Sequence, residues 1–193
     1  MSLATIAEAV SSCTNCGLHR DRKNAVPGGG PEDASIMLVG EAPGAAEDES
    51  GEPFVGMSGI LLNRLLKDAG IARTSIFVTN SVKCRPEGNR DPTGDEVTAC
   101  KDYLIGQIQV LQPKVIITVG KFAAWRVTMT TGPISNIMAL TTLSCLYGSE
   151  AIPVIACYHP AYLLRLLQSQ KERGKKVYLD YIERLKRAAA VGS

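Results

Sequence analysis

Four short runs of apolar and β-branched residues punctuate the chain, at 35–39, 76–79, 114–119 and 154–158. None alternates polar with apolar, so each is expected as a strand covered on both faces. Helical patterns lie between them. Ile60, Leu61, Leu65, Leu66 and Ala69 form one apolar stripe, stopped by Gly70 at a C-cap position. Thr93 and Glu96 make a capping box for a helix carrying Val97, Cys100, Leu104, Ile108 and Leu111, which Pro113 ends. A last helix, about 176–190, presents Val177, Tyr181, Ile182, Leu185 and Ala189 on one face. Strands alternating with helices predict an α/β fold: three αβα layers around a central four-stranded parallel sheet. No repeat, low-complexity segment or linker divides the chain, so 1–193 is expected as one domain.

In such a fold, ligands bind beyond the carboxyl ends of the strands. The residues just after each run are therefore the candidates for chemistry. After the first comes Gly40-Glu41-Ala42-Pro43-Gly44, then Glu47, Asp48, Gly51, Pro53, Phe54, Val55 and Gly56. Two glycines and a proline in five residues make a tight turn where backbone can approach a ligand closely. It is not a phosphate loop, because the Gly-Lys-Ser/Thr ending is absent and its carboxylates would repel phosphate. The second run is followed by Asn80, whose amide can both donate to and accept from the edge of a flat heterocycle. The third leads into Gly120-Lys121, which carries no clear signal. The fourth leads into His159-Pro160-Ala161, with Pro160 holding His159 extended at the strand tip.

Composition narrows the setting. The 193 residues are 45% hydrophobic and 21% charged, as in ordinary globular proteins. No apolar run approaches the roughly 20 residues that span a bilayer, and no signal-peptide pattern opens the chain. The expectation is a cytoplasmic protein with no membrane partner. A net charge of +2 does not announce a nucleic-acid binder. Basic residues do gather at Arg20, Arg22 and Lys23, at Lys83, Arg85 and Arg90, and along 165–176, where folding could line them along a phosphate backbone. Six cysteines in a reducing compartment point to ligation or catalysis rather than disulfides. Cys13-Thr14-Asn15-Cys16 is a C-x-x-C pair, and Cys84 and Cys100 follow the second strand. On chemistry alone this set suits zinc or an iron–sulfur cluster equally well. Cys157 reads as a buried small hydrophobe.

Taken together, these residues resemble the family 4 uracil-DNA glycosylases. The stretch Gly40-Glu41-Ala42-Pro43-Gly44, with Glu47-Asp48 and Gly51-Glu52-Pro53-Phe54-Val55-Gly56, is similar to that family's first motif. His159-Pro160-Ala161-Tyr162-Leu163-Leu164-Arg165 is similar to its second. Asn80 falls where the family keeps a base-reading asparagine, and Cys13, Cys16, Cys84 and Cys100 match its four ligands to a 4Fe-4S cluster. The resemblance runs from Cys13 through the last helix. It departs at 127–146, which lacks the Arg-Gly turn usual before the last strand. A related branch crosslinks to DNA through a histidine in an inserted basic loop. Here 84–100 holds no histidine and the turn reads Glu-Ala-Pro rather than Glu-Gln-Pro, so turnover is expected.

The resemblance implies release of free uracil from flipped-out deoxyuridine in DNA, leaving an abasic site, by a monofunctional enzyme that is a monomer. Phe54 would stack on the base and Asn80 would select it, within a pocket floored by Gly40, Ala42 and Gly44. His159 and nearby backbone N–H groups would stabilise the departing anion, while Glu41 and Glu47 would stabilise the sugar cation or position water. Leu163 and its neighbours, in a loop after His159, would wedge into the duplex, with Arg165 and Arg85 on DNA. Arg20 and Arg90 would lie with Arg85 near the cluster, facing phosphates. The 4Fe-4S cluster would be structural, tying the N-terminal helix to the loop 84–100. The competing reading is a non-catalytic module that recognises uracil or other lesions in DNA.

Overall fold

The computed structural model describes residues 2–193. At its centre a mixed sheet runs in the order β2-β1-β3-β5-β4, from β1 (Ile36–Gly40), β2 (Phe77–Asn80), β3 (Val115–Val119), β4 (Ser144–Cys145) and β5 (Ile152–Cys157). The first four in spatial order are parallel. Every residue of β1, β2 and β3 is buried, which is why these runs are apolar without alternation.

One expectation is corrected here. The sheet has a fifth strand, the two-residue β4, which pairs antiparallel with β5 through Ser144–Pro153 and Cys145–Ile152. It arises from the segment that departs from the family pattern, and two residues are too few to leave a periodic signal.

Helices cover both faces. On one, α3 (Met57–Asp68), α7 (Pro160–Ser169) and α8 (Lys171–Gly192) pack Leu62, Leu65, Leu163 and Leu185 against Leu38, Ile117 and Ile155. On the other, α1 (Leu3–Ser11), α4 (Gly94–Leu111) and α5 (Lys121–Thr128) pack Leu3, Ile108 and Val127 against Met37, Val39 and Ile116. The short α2 (Ala45–Ser50) and α6 (Ile134–Met138) lie in the loops after β1 and α5. Alternate residues of each strand serve opposite faces, as the pleat requires. Among the described residues no helix is long and apolar enough to cross a membrane.

Helix ends follow their chemistry. Gly70, at φ 78°, takes the left-handed turn after α3. Thr93 and Glu96 close the capping box of α4 reciprocally, with N–H to oxygen distances of 3.3 and 2.8 Å. Glu96 also holds Arg90 through both guanidinium nitrogens, at 2.9 and 2.6 Å, pinning the loop before α4. These contacts hold its carboxyl down to about 2, the Arg90 bond contributing most.

Candidate functional site

The strand register brings the candidates together. Gly40 of β1 sits directly beside Asn80 of β2, and Val119 of β3 beside Cys157 of β5. Glu41, Asn80, Gly120 and His159 therefore emerge along one edge of the sheet. There they line a cleft of about 900 Å³, at the upper end of the roughly 300–1,000 Å³ of small-molecule sites.

Gly40 explains the pocket's floor. A Cβ at this position would lie 2.3 Å from Oδ1 of Asn80 and 2.5 Å from Cζ of Phe54. The missing side chain lets an amide and an aromatic ring converge over one point. Phe54 reaches it from a left-handed backbone, φ 58°, which costs a non-glycine residue on the order of 1–2 kcal/mol. Gly59 at the start of α3 makes that conformation possible, since its Cβ would fall 1.8 Å from the Phe54 carbonyl oxygen. Gly59→Ala is expected to force the Phe54 backbone aside and cost about 1–3 kcal/mol of stability. A lower urea midpoint would register this, and an unchanged midpoint would mean the loop relaxes freely.

Asn80 is 2% exposed and faces the cleft. The chain beyond it is stitched to the first turn. Ser81 donates to the Gly40 carbonyl from both N–H and hydroxyl, at 2.9 and 3.0 Å, and the Val82 N–H donates to the Glu41 carbonyl at 2.9 Å.

His159 is the N-cap of α7. Its Nδ1 accepts the Ala161 N–H at 3.1 Å, which assigns the ring proton of the neutral form to Nε2. Burial, and secondarily the charge of Arg165, push its pKa down to about 4, so the imidazole is neutral at ordinary pH. Gly120, at φ 96°, leaves room for it, since a Cβ there would lie 3.3 Å from that of His159.

The two glutamates behave differently. Glu41 is half-buried, and burial raises its pKa to about 7. The charge of Asp91 raises it further and that of Lys121 opposes. Glu47 is spent on the loop. Its Oε2 accepts the Gly44 N–H at 3.0 Å, and Oε1 accepts those of Val55 and Gly56 at 2.9 and 2.8 Å. Glu47 also lines the cleft, and these three bonds let it clamp the two arms of the turn that carries Phe54.

Leu163 is also corrected. The residues after His159 form a helix, not a loop, and helical spacing turns Leu163 and Leu166 inward with Pro160. Leu163 is 0% exposed and packs in the core instead of standing at the surface. Instead Tyr162, stacked on Tyr158 at 5.0 Å, and the exposed Arg165 stand on the cleft wall. Arg173 joins them, donating to the Tyr162 hydroxyl at 3.2 Å. Arg85 is half-buried, bonds Asn89 Oδ1 at 2.7 Å and lies outside the cleft lining. Ala42 and Gly44 line it as expected. Lys121, which carried no signal in the sequence, lines it too, its ammonium 4.4 Å over the Phe122 ring.

A second, small cavity is lined by Cys13, Cys16, Cys84 and Cys100, joining the end of α1 to α4. Arg22, rather than Arg20, reaches it, donating to Cys84 Sγ at 3.0 Å. The Lys83 N–H donates to Cys100 Sγ at 3.3 Å. Burial pushes the Cys100 thiol up to about 11 and raises that of Cys84, which Arg22 partly opposes. Among the described residues, no three His, Cys, Asp or Glu side chains lie close enough to hold one metal ion. Cys145 and Cys157 are buried in the packed layers away from this cavity.

The family model described as the uracil DNA glycosylase superfamily matches residues 27–186. A type-4 uracil-DNA glycosylase of Archaeoglobus fulgidus is 43% identical over 181 residues, covering 89% of this chain and 87% of the relative. One from Pyrobaculum aerophilum is 45% identical over 168 residues, with 86% of each chain covered. One from Thermotoga maritima is 39% identical over 182 residues, covering 94% and 91%.

Proposed function

The chain belongs to the uracil DNA glycosylase superfamily, and from that premise we propose that it hydrolyses the N-glycosidic bond of flipped-out deoxyuridine in DNA, releasing free uracil. The observation that carries this reading is the notch at Gly40, where the Phe54 ring and the Asn80 amide meet at the edge of the sheet. A pyrimidine slid over Gly40 would stack on Phe54 and present its polar edge to Asn80. The amide accepts from the ring N–H of uracil and donates to its carbonyl. Cytosine carries a donor where uracil carries that carbonyl, and a mispaired buried amide costs about 1–3 kcal/mol.

Cleavage leaves negative charge on uracil and positive charge on the sugar. The neutral Nε2–H of His159 is suited to stabilising the anion, because it donates a hydrogen bond without giving up a proton. Glu41 opposes the sugar charge or orients the attacking water, and Glu47 holds the turn that presents Phe54. Flipping the base out costs roughly a few kcal/mol of lost stacking and pairing. Tyr162 and Arg165, which line the cleft, would offset that cost by contacting the opened strand. The segment 84–100 holds no histidine, the residue type through which the crosslinking branch bonds to DNA, in keeping with turnover.

In this reading the four thiols that line one cavity are the ligand set of the 4Fe-4S cluster that the family resemblance implies. Cys13, Cys16, Cys84 and Cys100 would hold it, and its contribution when bound is to fasten α1 to α4 and the segment after β2. Uracil release is a hydrolysis with no electron to move. Cys84→Ala is accordingly expected to lower the yield of folded protein before it alters specificity. Soluble, colourless and fully active Cys84→Ala protein would count against a structural cluster.

The test of the function is a labelled oligonucleotide carrying one uracil, incubated with the protein and then treated with alkali. Strand breakage at uracil, over many turnovers and absent from the thymine control, is the expected result. Asn80→Ala is expected to reduce it to a slow residual rate, measurable only at single turnover, while non-specific DNA binding persists. Intact protein that binds the uracil strand but breaks nothing would leave only the non-catalytic recognition reading.

A further inference from the structure

We propose that Lys83 is a positioning residue for Asn80, tying the reading of the base to the segment that carries Cys84. The inference rests on the function proposed above and assigns a role to a side chain outside the cleft.

Lys83 is 1% exposed, among the largest fully buried side chains of the protein. Among the described residues no carboxylate pairs with it. Its three N–H donors instead meet three neutral acceptors: Thr79 Oγ1 at 2.6 Å, the Asn80 carbonyl at 2.7 Å and Gln107 Oε1 at 2.7 Å. The acceptors are fixed in turn. Gln107, on α4, donates from Nε2 to the Pro27 carbonyl at 2.7 Å, which aims Oε1 at the ammonium. Thr79 donates its hydroxyl proton to the same carbonyl at 2.9 Å. Every polar atom of this buried knot is engaged.

Such a knot is a poor way to gain stability. A methionine would fill the same space without the cost of taking an ammonium out of water. What the lysine does, and a methionine cannot, is hold the Asn80 carbonyl at a fixed point. The Asn80 side chain has two torsions between backbone and amide, so an error in the backbone is passed directly to the hydrogen bonds that read the base. Lys83 is also tied by its main chain, its N–H donating to Cys100 Sγ and its carbonyl accepting the Val26 N–H at 2.7 Å. The intervening Ser81 and Val82 bond the carbonyls of Gly40 and Glu41. One five-residue span, Asn80 to Cys84, thus runs from the amide of the first cavity to a cysteine of the second.

The experiment is a double-mutant cycle on Lys83→Met and Asn80→Ala, read by single-turnover release of uracil and by titration of free uracil. Lys83→Met is expected to keep its absorbance and its non-specific DNA affinity. It should bind free uracil more weakly and release it about 10²-fold more slowly, as an ångström-scale misplacement would cause. In the Asn80→Ala background the same change should cost nothing further. A merely structural lysine would lower the active fraction in both backgrounds alike and leave uracil binding per active molecule unchanged, which overturns the proposal. So would unaltered release by folded Lys83→Met. If that variant does not fold, Gln107→Leu replaces it. A smaller fall that vanishes in the Asn80→Ala background supports the proposal, and an unchanged rate overturns it. Failure of the wild-type protein to release uracil is a separate result, and sinks the proposed function instead.

Discussion

Replacing His159 with alanine is expected to slow single-turnover release of uracil by about 10²–10³-fold, the cost of losing one oriented donor to a developing anion, while affinity for the DNA stays within a few-fold. The geometry separates rate from affinity. The bond from the Ala161 N–H leaves the ring proton on Nε2, and a pKa of about 4 keeps the imidazole uncharged. An uncharged donor adds nothing to attraction for phosphate. It gains strength only when the uracil carbonyl acquires charge in the transition state. The same low pKa has a further consequence: activity should not fall as pH rises through 6.5, where an ordinary histidine would lose its proton. Rapid quench of a pre-bound complex measures the rate and fluorescence anisotropy the affinity. If affinity collapses and the rate holds, His159 is a binding residue and the anion is stabilised elsewhere.

The placement of His159 was legible in the sequence because two rules reinforce each other. Apolar runs without alternation mark parallel strands, and ligands gather at their carboxyl ends. Those rules put Gly40, Asn80 and His159 on one edge, where they lie. What failed to show depends on which way a side chain turns. Leu163 sits in a motif, yet helical spacing through Pro160, Leu163 and Leu166 sends it into the core, and the polar neighbours that would betray a helix are few. Glu47 entered as chemistry only through the family resemblance, and the structure adds that three backbone N–H groups bond to it. Gly59 and Gly120 carry no local signal, and Lys83 reads as a phosphate contact beside Arg85 and Arg90 although it is buried. Their importance lies in what stands opposite them: the Phe54 carbonyl, the His159 side chain and the Asn80 carbonyl. A lysine between Val82 and Cys84 reads as surface until three acceptors are seen around its ammonium.

Glu41 should write its own titration into the rate. Burial disfavours its charged form and raises its pKa to about 7, with the charge of Asp91 acting in the same direction. The role proposed for it, opposing positive charge on the sugar or orienting water, requires the carboxylate. The ionised fraction grows as pH rises through that pKa, so single-turnover release is expected to climb about tenfold per unit below pH 7 and level off above it. His159 titrates near 4 and cannot produce this limb. Two neighbours allow the assignment to be checked by sign. Lys121 stabilises the carboxylate, so Lys121→Met should move the limb to higher pH. Asp91 destabilises it, so Asp91→Asn should move the limb to lower pH. Glu41→Gln should abolish the limb and lower the plateau by about 10²–10⁴-fold. A rate that falls as pH rises through 7 would mean that Glu41 works in its protonated form, as an acid toward the leaving base. A profile that keeps its limb in Glu41→Gln would assign the titrating group to something other than Glu41, and with it the charge that the sugar meets.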